Sequence, residues 1–319
     1  MKLVLQVFLI THSLLAASLL AGASQDSTAH RKLLVQADRI VFLGDSITYN
    51  GGYVANFEVW LKSLYSRRNI DVVNLGLPLE TVSGSSEIGH AGGKFSRSNL
   101  FTRLDSVLSK SKPSLIFACY GMNFGIYQPI DPARFSAYKQ GIEKLKAKAE
   151  AFGATIIFIT PASFAPHGMT SPYAESLDAY SNWLVSRRDD GWMVIDIHSH
   201  MQDALDKSRK EDPRFTYQKD RIHPNSEGHW VMTQPILKWF GDTPSSEASS
   251  ALEVINLHKL PAGIELLIKT RMRLKRDAWL THTGHSHPSM KDGLPLNKAQ
   301  IEEKKLNKEI NRLVKIAGH

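Results

Sequence analysis

Ser46 closes the stretch "VFLGDS", directly after Gly44 and Asp45. Far downstream, Asp220 and His223 stand three residues apart in "DRIHP". A serine hydroxyl is a weak nucleophile until a base takes its proton. His223 is the right type for that base, and Asp220 for accepting the other ring N–H and fixing the tautomer. Asn123 in "YGMN" and Gly76 in "VVNLG" supply a different function. The Asn123 amide and the backbone N–H groups of Ser46 and Gly76 are donors of the kind that stabilise an oxyanion. Glycine at 76 also lets the backbone approach a substrate closely. The set describes acyl transfer: attack on an ester carbonyl, a covalent acyl-enzyme, and its hydrolysis. That chemistry calls for no cofactor and no metal.

Each residue also has a scaffold reading. Serine caps helices, and asparagine fills turns. Asp45 reads as a hydrogen-bond acceptor within its turn, and His229 as a packed helix residue rather than a second base. His282, His285 and His287 cluster in "HTGHSH". Histidines suit zinc, but no acid or cysteine completes the set, so the segment reads as a loop near the substrate, with Trp279 beside it.

The elements that must position these side chains are legible as a repeating pattern. Short apolar runs occur at 39–44, 71–76, 114–121, 155–160 and 192–197. Continuous rather than alternating apolarity suits strands buried on both faces. Helical periodicity lies between them, in 53–68, 131–153, 171–188 and 226–241. Asp131 as cap, Pro132 at the first turn and Gly153 at the end frame one of these helices. Strand–helix alternation predicts an α/β sandwich with a mainly parallel sheet. Ligands bind at the carboxyl ends of such strands. Ser46, Gly76 and Asn123 all fall at those ends, and the loop of Asp220 and His223 follows the fifth strand. The segment 80–103 leaves the same edge, is glycine-rich and carries His90, Lys94 and Arg97. A long loop there shapes a pocket, and its basic, polar content suits a sugar or an anionic group.

The two ends of the 319-residue chain differ from its middle. Residues 1–23 have Lys2, an apolar run and Ala21-Gly22-Ala23, the pattern of a secretory signal peptide cleaved after Ala23. Cys119 is the only cysteine, so no intrachain disulfide is expected, and its apolar setting makes it a small buried hydrophobe. "DTPSSEASS" after Gly241 reads as a polar linker into a helical extension, 242–319. Residues 251–319 hold 13 Lys and Arg against 7 Asp and Glu, most of the chain's net +8. A surplus of this kind reads as a solvated helical face, with an acidic polymer as the alternative. Ile301, Leu306, Ile310, Leu313 and Ala317 form a narrow apolar stripe that needs a surface to cover it. The extension is therefore expected to dock on the main domain, with 277–288 near the catalytic edge.

"GDSIT", "VVNLG", "GMN" and "DRIHPNSEGH" together resemble the blocks of the SGNH, or GDSL, hydrolase family, in order, over 38–241. The resemblance implies a flavodoxin-like three-layer α/β/α sandwich. It also implies Ser46, Asp220 and His223 as catalytic residues, with Ser46, Gly76 and Asn123 lining the oxyanion hole. One position departs: the family's Gly-x-Asn-Asp has Phe124 in place of the acid. Other stretches, "LPLETVSG" among them, are similar to a subset associated with bacteria that secrete carbohydrate-degrading enzymes. The expectation is a secreted or periplasmic serine esterase removing a small acyl group, acetyl above all, from a carbohydrate. A lipase or lysophospholipase, or a non-catalytic binding protein on the same scaffold, are the alternatives. A small-molecule or polysaccharide ester is the expected partner. Nucleic acid and stable membrane insertion are not expected, and no sequence signal sets an oligomeric state.

Overall fold

The computed structural model describes residues 27–66, 68–164, 171–285 and 287–316. The expected signal peptide lies outside them, as does Ala317. A helix over 27–36 (α1) leads into β1 (Arg39–Gly44), followed by α2 (Ser46–Asn50), α3 (Gly52–Leu64) and β2 (Asp71–Asn74). Then come α4 (Leu104–Ser111), β3 (Leu115–Cys119), α5 (Pro132–Ala151), β4 (Thr155–Ile159), α6 (Pro172–Ser186) and β5 (Val194–Ile195). The chain ends in α7 (His198–Glu211), α8 (Ser226–Trp239), α9 (Thr243–Glu247), α10 (Ala251–Leu257), α11 (Ile264–Thr283) and α12 (Leu296–Ile316). All five expected strands form, and every pairing is parallel in the order β2-β1-β3-β4-β5.

That order locates the site. From β1 the chain crosses outward to β2, then returns past β1 to β3 and continues to β5. Parallel crossovers are right-handed, so reversing direction moves the connecting helix to the other face. α3 therefore covers one face, packed against α8, and α4, α5 and α6 cover the other. The chain diverges between β1 and β3, and the crevice outside their carboxyl ends is where such sheets bind ligands. Both faces of the sheet are filled. Phe42, Phe57, Phe117 and Phe240 pack together on the face covered by α3 and α8, mostly edge to face. Tyr138, Tyr180 and Phe124 form a second aromatic cluster on the opposite face. Cys119 is buried.

The stretch after Gly241 is not a solvated tether. Asp242 accepts a hydrogen bond from Trp60 Nε1 at 2.7 Å and from Ser245 N, and Ser245 and Ser246 are buried in α9. Composition misleads here because short polar side chains also cap helices. α11 packs on α3 and covers the β2 edge, which would otherwise present unpaired backbone groups. Its cations are largely consumed in this docking. Arg271, Lys275 and Arg276 are only 3%, 4% and 7% exposed. Arg271 pairs with Glu58 at 2.6 Å, Lys275 with Asp71 and Glu303, and Arg276 donates to the Tyr49 carbonyl. Three cations of the extension thus face inward, while most of its other Lys and Arg residues stay exposed, as expected of a solvated face. The seam of α12 also differs from the expected stripe. Ala299, Ile310 and Val314 are buried, whereas Ile301 is 57% exposed. Among the described residues no helix is long and apolar enough to cross a membrane.

Candidate active site

Two close approaches set the turn at Ser46. A Cβ on Gly44 would lie 2.1 Å from Thr48 Oγ1 and 2.7 Å from the Cys119 carbonyl, so only glycine lets α2 fold back over the strand ends. A Cβ on Gly76 would lie 2.4 Å from Tyr49 N, which brings the end of β2 against α2 in the same way. Asp45 then caps α2: its Oδ1 accepts from Ile47 N at 3.0 Å, the acceptor role expected of it. Asp45 is 3% exposed, and burial pushes its carboxyl up to about 6 despite the Ile47 hydrogen bond and the nearby His223. Ser46 is left at the first helical position with its side chain free to face the crevice.

His223 Nε2 lies 2.8 Å from Ser46 Oγ. On the other side of the ring, Nδ1 lies 2.6 Å from Asp220 Oδ2. Asp220 Oδ1 accepts from the backbone N–H groups of Ile222 at 3.0 Å and His223 at 2.7 Å. The turn closes because Arg221 adopts φ 72, a left-handed conformation uncommon for a side-chain-bearing residue. Partial burial works to raise the Asp220 carboxyl, but the hydrogen bonds from His223 and Ile222 outweigh it and hold it below its ordinary value. Asp220 therefore stays ionised at neutral pH and favours Nδ1–H on His223, leaving Nε2 as the acceptor toward Ser46. The side chains of His223 and Asp220 are 44% and 54% exposed, so the constellation lies on an open surface.

Asn123 is 2% exposed and presents Nδ2 to the Glu80 carbonyl at 3.5 Å, at the limit of a hydrogen bond. Gly76 differs from the expectation. Its N–H donates to Asn74 Oδ1 at 2.9 Å, and Asn74 Nδ2 in turn donates to the Thr48 carbonyl at 2.6 Å. Asn74 therefore ties β2 to α2, and the Gly76 N–H is taken up within its own turn rather than left for an oxyanion. Three residues on, Leu79 sits at φ 62. Among the described residues neither its N–H nor that of Ser46 donates to a protein acceptor.

Sequence reasoning also missed two ion pairs that shape the crevice. Arg103 grips Glu80 through Nε and Nη2, both at 2.6 Å, and donates to the Leu75 carbonyl, while Tyr120 OH donates to Glu80 at 2.7 Å. The pair is almost fully buried and pins the 75–80 turn. Arg97 grips Glu87 in the same fashion and reaches Asn123. In the sequence Arg97 reads only as a pocket charge, and nothing there pairs Glu80 with Arg103 or Glu87 with Arg97. Phe124, the departure from the family pattern, points into the aromatic cluster and is 1% exposed. His229 is 3% exposed, with Nδ1 accepting from Tyr53 N at 3.3 Å, the packed role expected of it. Burial, then Lys269 and His223, bring its ring down to about 4.

The last turn of α11 is tied to α4, and the segment after it reaches the 80–103 insert. Lys110 Nζ donates to the His282 carbonyl and Ser106 Oγ to that of Thr283, while the His287 ring lies 5.7 Å from Phe95. Among the described residues no group of three or more His, Cys, Asp or Glu is arranged to hold a metal ion.

Comparison with known families matches residues 42–231 to the GDSL-like Lipase/Acylhydrolase family. The chain belongs to that family. It is accordingly a serine ester hydrolase, built on the three-layer sandwich expected from the sequence. Solved structures agree on the fold. A gut microbial diltiazem-metabolizing enzyme superposes with a TM-score of 0.54 at 22% identity, over 65% of this chain and 47% of that one. This GDSL-like chain thus spans about half of that enzyme's length. An acetylxylan esterase from Geobacillus stearothermophilus gives 0.51 at 21% identity, covering 64% of this chain and 94% of its own. An alpha/beta hydrolase enzyme from the metagenome of Lake Arreo, Spain, gives 0.50 at 22% identity, covering 65% and 96%. No curated protein sequence matches the chain.

Proposed function

We propose that this GDSL-like hydrolase is an exported deacetylase of carbohydrate esters, working through Ser46, His223 and Asp220. The observation that carries the reading is the unbroken series from Ser46 Oγ to His223 at 2.8 Å and from His223 to Asp220 at 2.6 Å. Ser46 Oγ attacks the ester carbonyl while His223 Nε2 takes its proton. The oxyanion receives hydrogen bonds from the Ser46 N–H, the Asn123 amide and, in place of Gly76, the Leu79 N–H. Collapse expels the alcohol, which takes the proton from His223. Water, deprotonated by the same nitrogen, then releases the acid. The open setting of His223 and Asp220 gives a bulky leaving alcohol room. The acetylxylan esterase among the structural neighbours supports an acetylated sugar as that alcohol. The leader-like pattern of residues 1–23 supports export.

The test is turnover of acetyl, butyryl and longer p-nitrophenyl esters, then release of acetate from acetylated xylan, with Ser46→Ala as control. Acetyl preference, acetate release and loss of both in Ser46→Ala support the reading. A preference for long acyl chains replaces it with a lipase, and failure of a fluorophosphonate probe to label Ser46 overturns it.

A further inference from the structure

Asn123 can serve an oxyanion only if its amide is held the right way round. Rotation by half a turn would put Oδ1, a partial negative charge, where Nδ2 must stand. We propose that Arg97 is the positioning residue that fixes this orientation. The proposal rests on the reading of Asn123 as an oxyanion donor.

Arg97 Nη1 donates to Asn123 Oδ1 at 3.0 Å, and Tyr127 OH donates to the same oxygen at 3.3 Å. Two donors on one side of the amide demand the oxygen there. Nδ2 is thereby turned to the opposite side, where its only protein partner among the described residues is the Glu80 carbonyl at 3.5 Å. That contact is long enough to yield to a charged oxygen. The guanidinium also draws electron density toward Oδ1, which strengthens the Nδ2–H groups as donors.

Arg97 is itself anchored. It is 4% exposed, and Glu87 accepts from its Nε at 2.8 Å and its Nη2 at 2.7 Å. Glu87 also engages His90 Nδ1 at 2.9 Å. Partial burial works to raise the Glu87 carboxyl, but the hydrogen bonds from Arg97 and His90 outweigh it and bring it to about 2. The insert that carries these residues is closed at its base, where Thr81 N donates to the Ser98 carbonyl and Leu100 N to the Thr81 carbonyl, both at 2.9 Å. A planar fork locked by a carboxylate holds a neighbouring group more sharply than an ammonium can. The insert that reads in the sequence as a pocket-shaping loop is on this account part of the machinery that stabilises the oxyanion.

Arg97→Met, Arg97→Lys and Glu87→Gln, each checked for an unchanged melting profile, test the proposal on p-nitrophenyl acetate. Arg97→Met should lower kcat about 10- to 100-fold with KM moved by less than about threefold. Lysine should recover part of the rate, and Glu87→Gln should lose less. Asn123→Ala should add little further loss in the Arg97→Met background, because both changes remove one donor. Additive losses, or an effect confined to KM, overturn the proposal. The Asn123 side-chain amide resonances supply an arm independent of turnover. They should be sharp and widely separated in the wild type and collapse toward solvent-like values in Arg97→Met. Unchanged resonances also overturn it. If the wild type hydrolyses no ester and resists fluorophosphonate, the functional reading falls while this arm still decides the role of Arg97.

Discussion

Asp220 and His223 meet at 2.6 Å across a three-residue turn, with both side chains largely in solvent. The contact is held from within by the turn rather than by burial. Asp220 receives three hydrogen bonds from its own segment, and Arg221 takes the left-handed conformation that makes them simultaneous.

The first prediction concerns that turn. A left-handed conformation costs a side-chain-bearing residue roughly 1–2 kcal/mol, and a β-branched one more. Arg221→Gly should retain near-wild-type kcat, whereas Arg221→Val should open the turn and lower it. Equal rates for the two variants on p-nitrophenyl acetate would show that the turn does not orient the base.

The second concerns the three catalytic side chains proposed here. Ser46→Ala and His223→Ala should each lower kcat by a factor on the order of 10⁴ or more, and Asp220→Asn by less. Because the Asp220 carboxyl is held below its ordinary value, an acid limb of kcat/KM above pH 5 does not belong to it. Disappearance of such a limb in Asp220→Asn would contradict this.

The third concerns Asp45. Its carboxyl is raised from 3.8 to about 6 in the folded protein. The folded state therefore holds the proton more tightly, and stability falls as pH rises between those values. Above pH 6 the penalty is fully present, about 3 kcal/mol by order of magnitude. Asp45→Asn keeps an acceptor for Ile47 N and removes the charge. Urea denaturation should show it more stable than the wild type at pH 8 and little changed at pH 4. Stabilisation of equal size at both values would mean that the charge is not the cause.

The fourth concerns docking of the extension. Arg271 and Glu58 are both buried and lie 2.6 Å apart, although the approach is not along a hydrogen-bond direction. Arg271→Met leaves a buried carboxylate unpaired and should destabilise by about 3–5 kcal/mol. Adding Glu58→Met should restore most of that. A double variant no more stable than the single one would show that packing of the Arg271 stem, not charge, holds α11.

That Ser46, Asp220 and His223 come together was legible in the sequence, and so were all five strands. The reason is local: buried parallel strands are written as continuous apolar runs, and the site residues stand at their ends. A three-residue spacing was enough to pair Asp220 with His223, because that contact closes within one turn.

What the tertiary structure decided depends on pairs far apart in the chain. Gly76 reads as a donor in the sequence, but Asn74, held by the Thr48 carbonyl 26 residues away, takes its N–H. Leu79 carries no sequence mark of its φ of 62. Charge patterning cannot show which cations of the extension turn inward, because Glu58 and Asp71, the partners of Arg271 and Lys275, lie on the facing surface. Arg97 lies 26 residues from Asn123, and only the closure of the 80–103 insert brings its guanidinium to that amide. Periodicity reports which face of an element is buried, but the partner of a buried charge is set by three-dimensional packing.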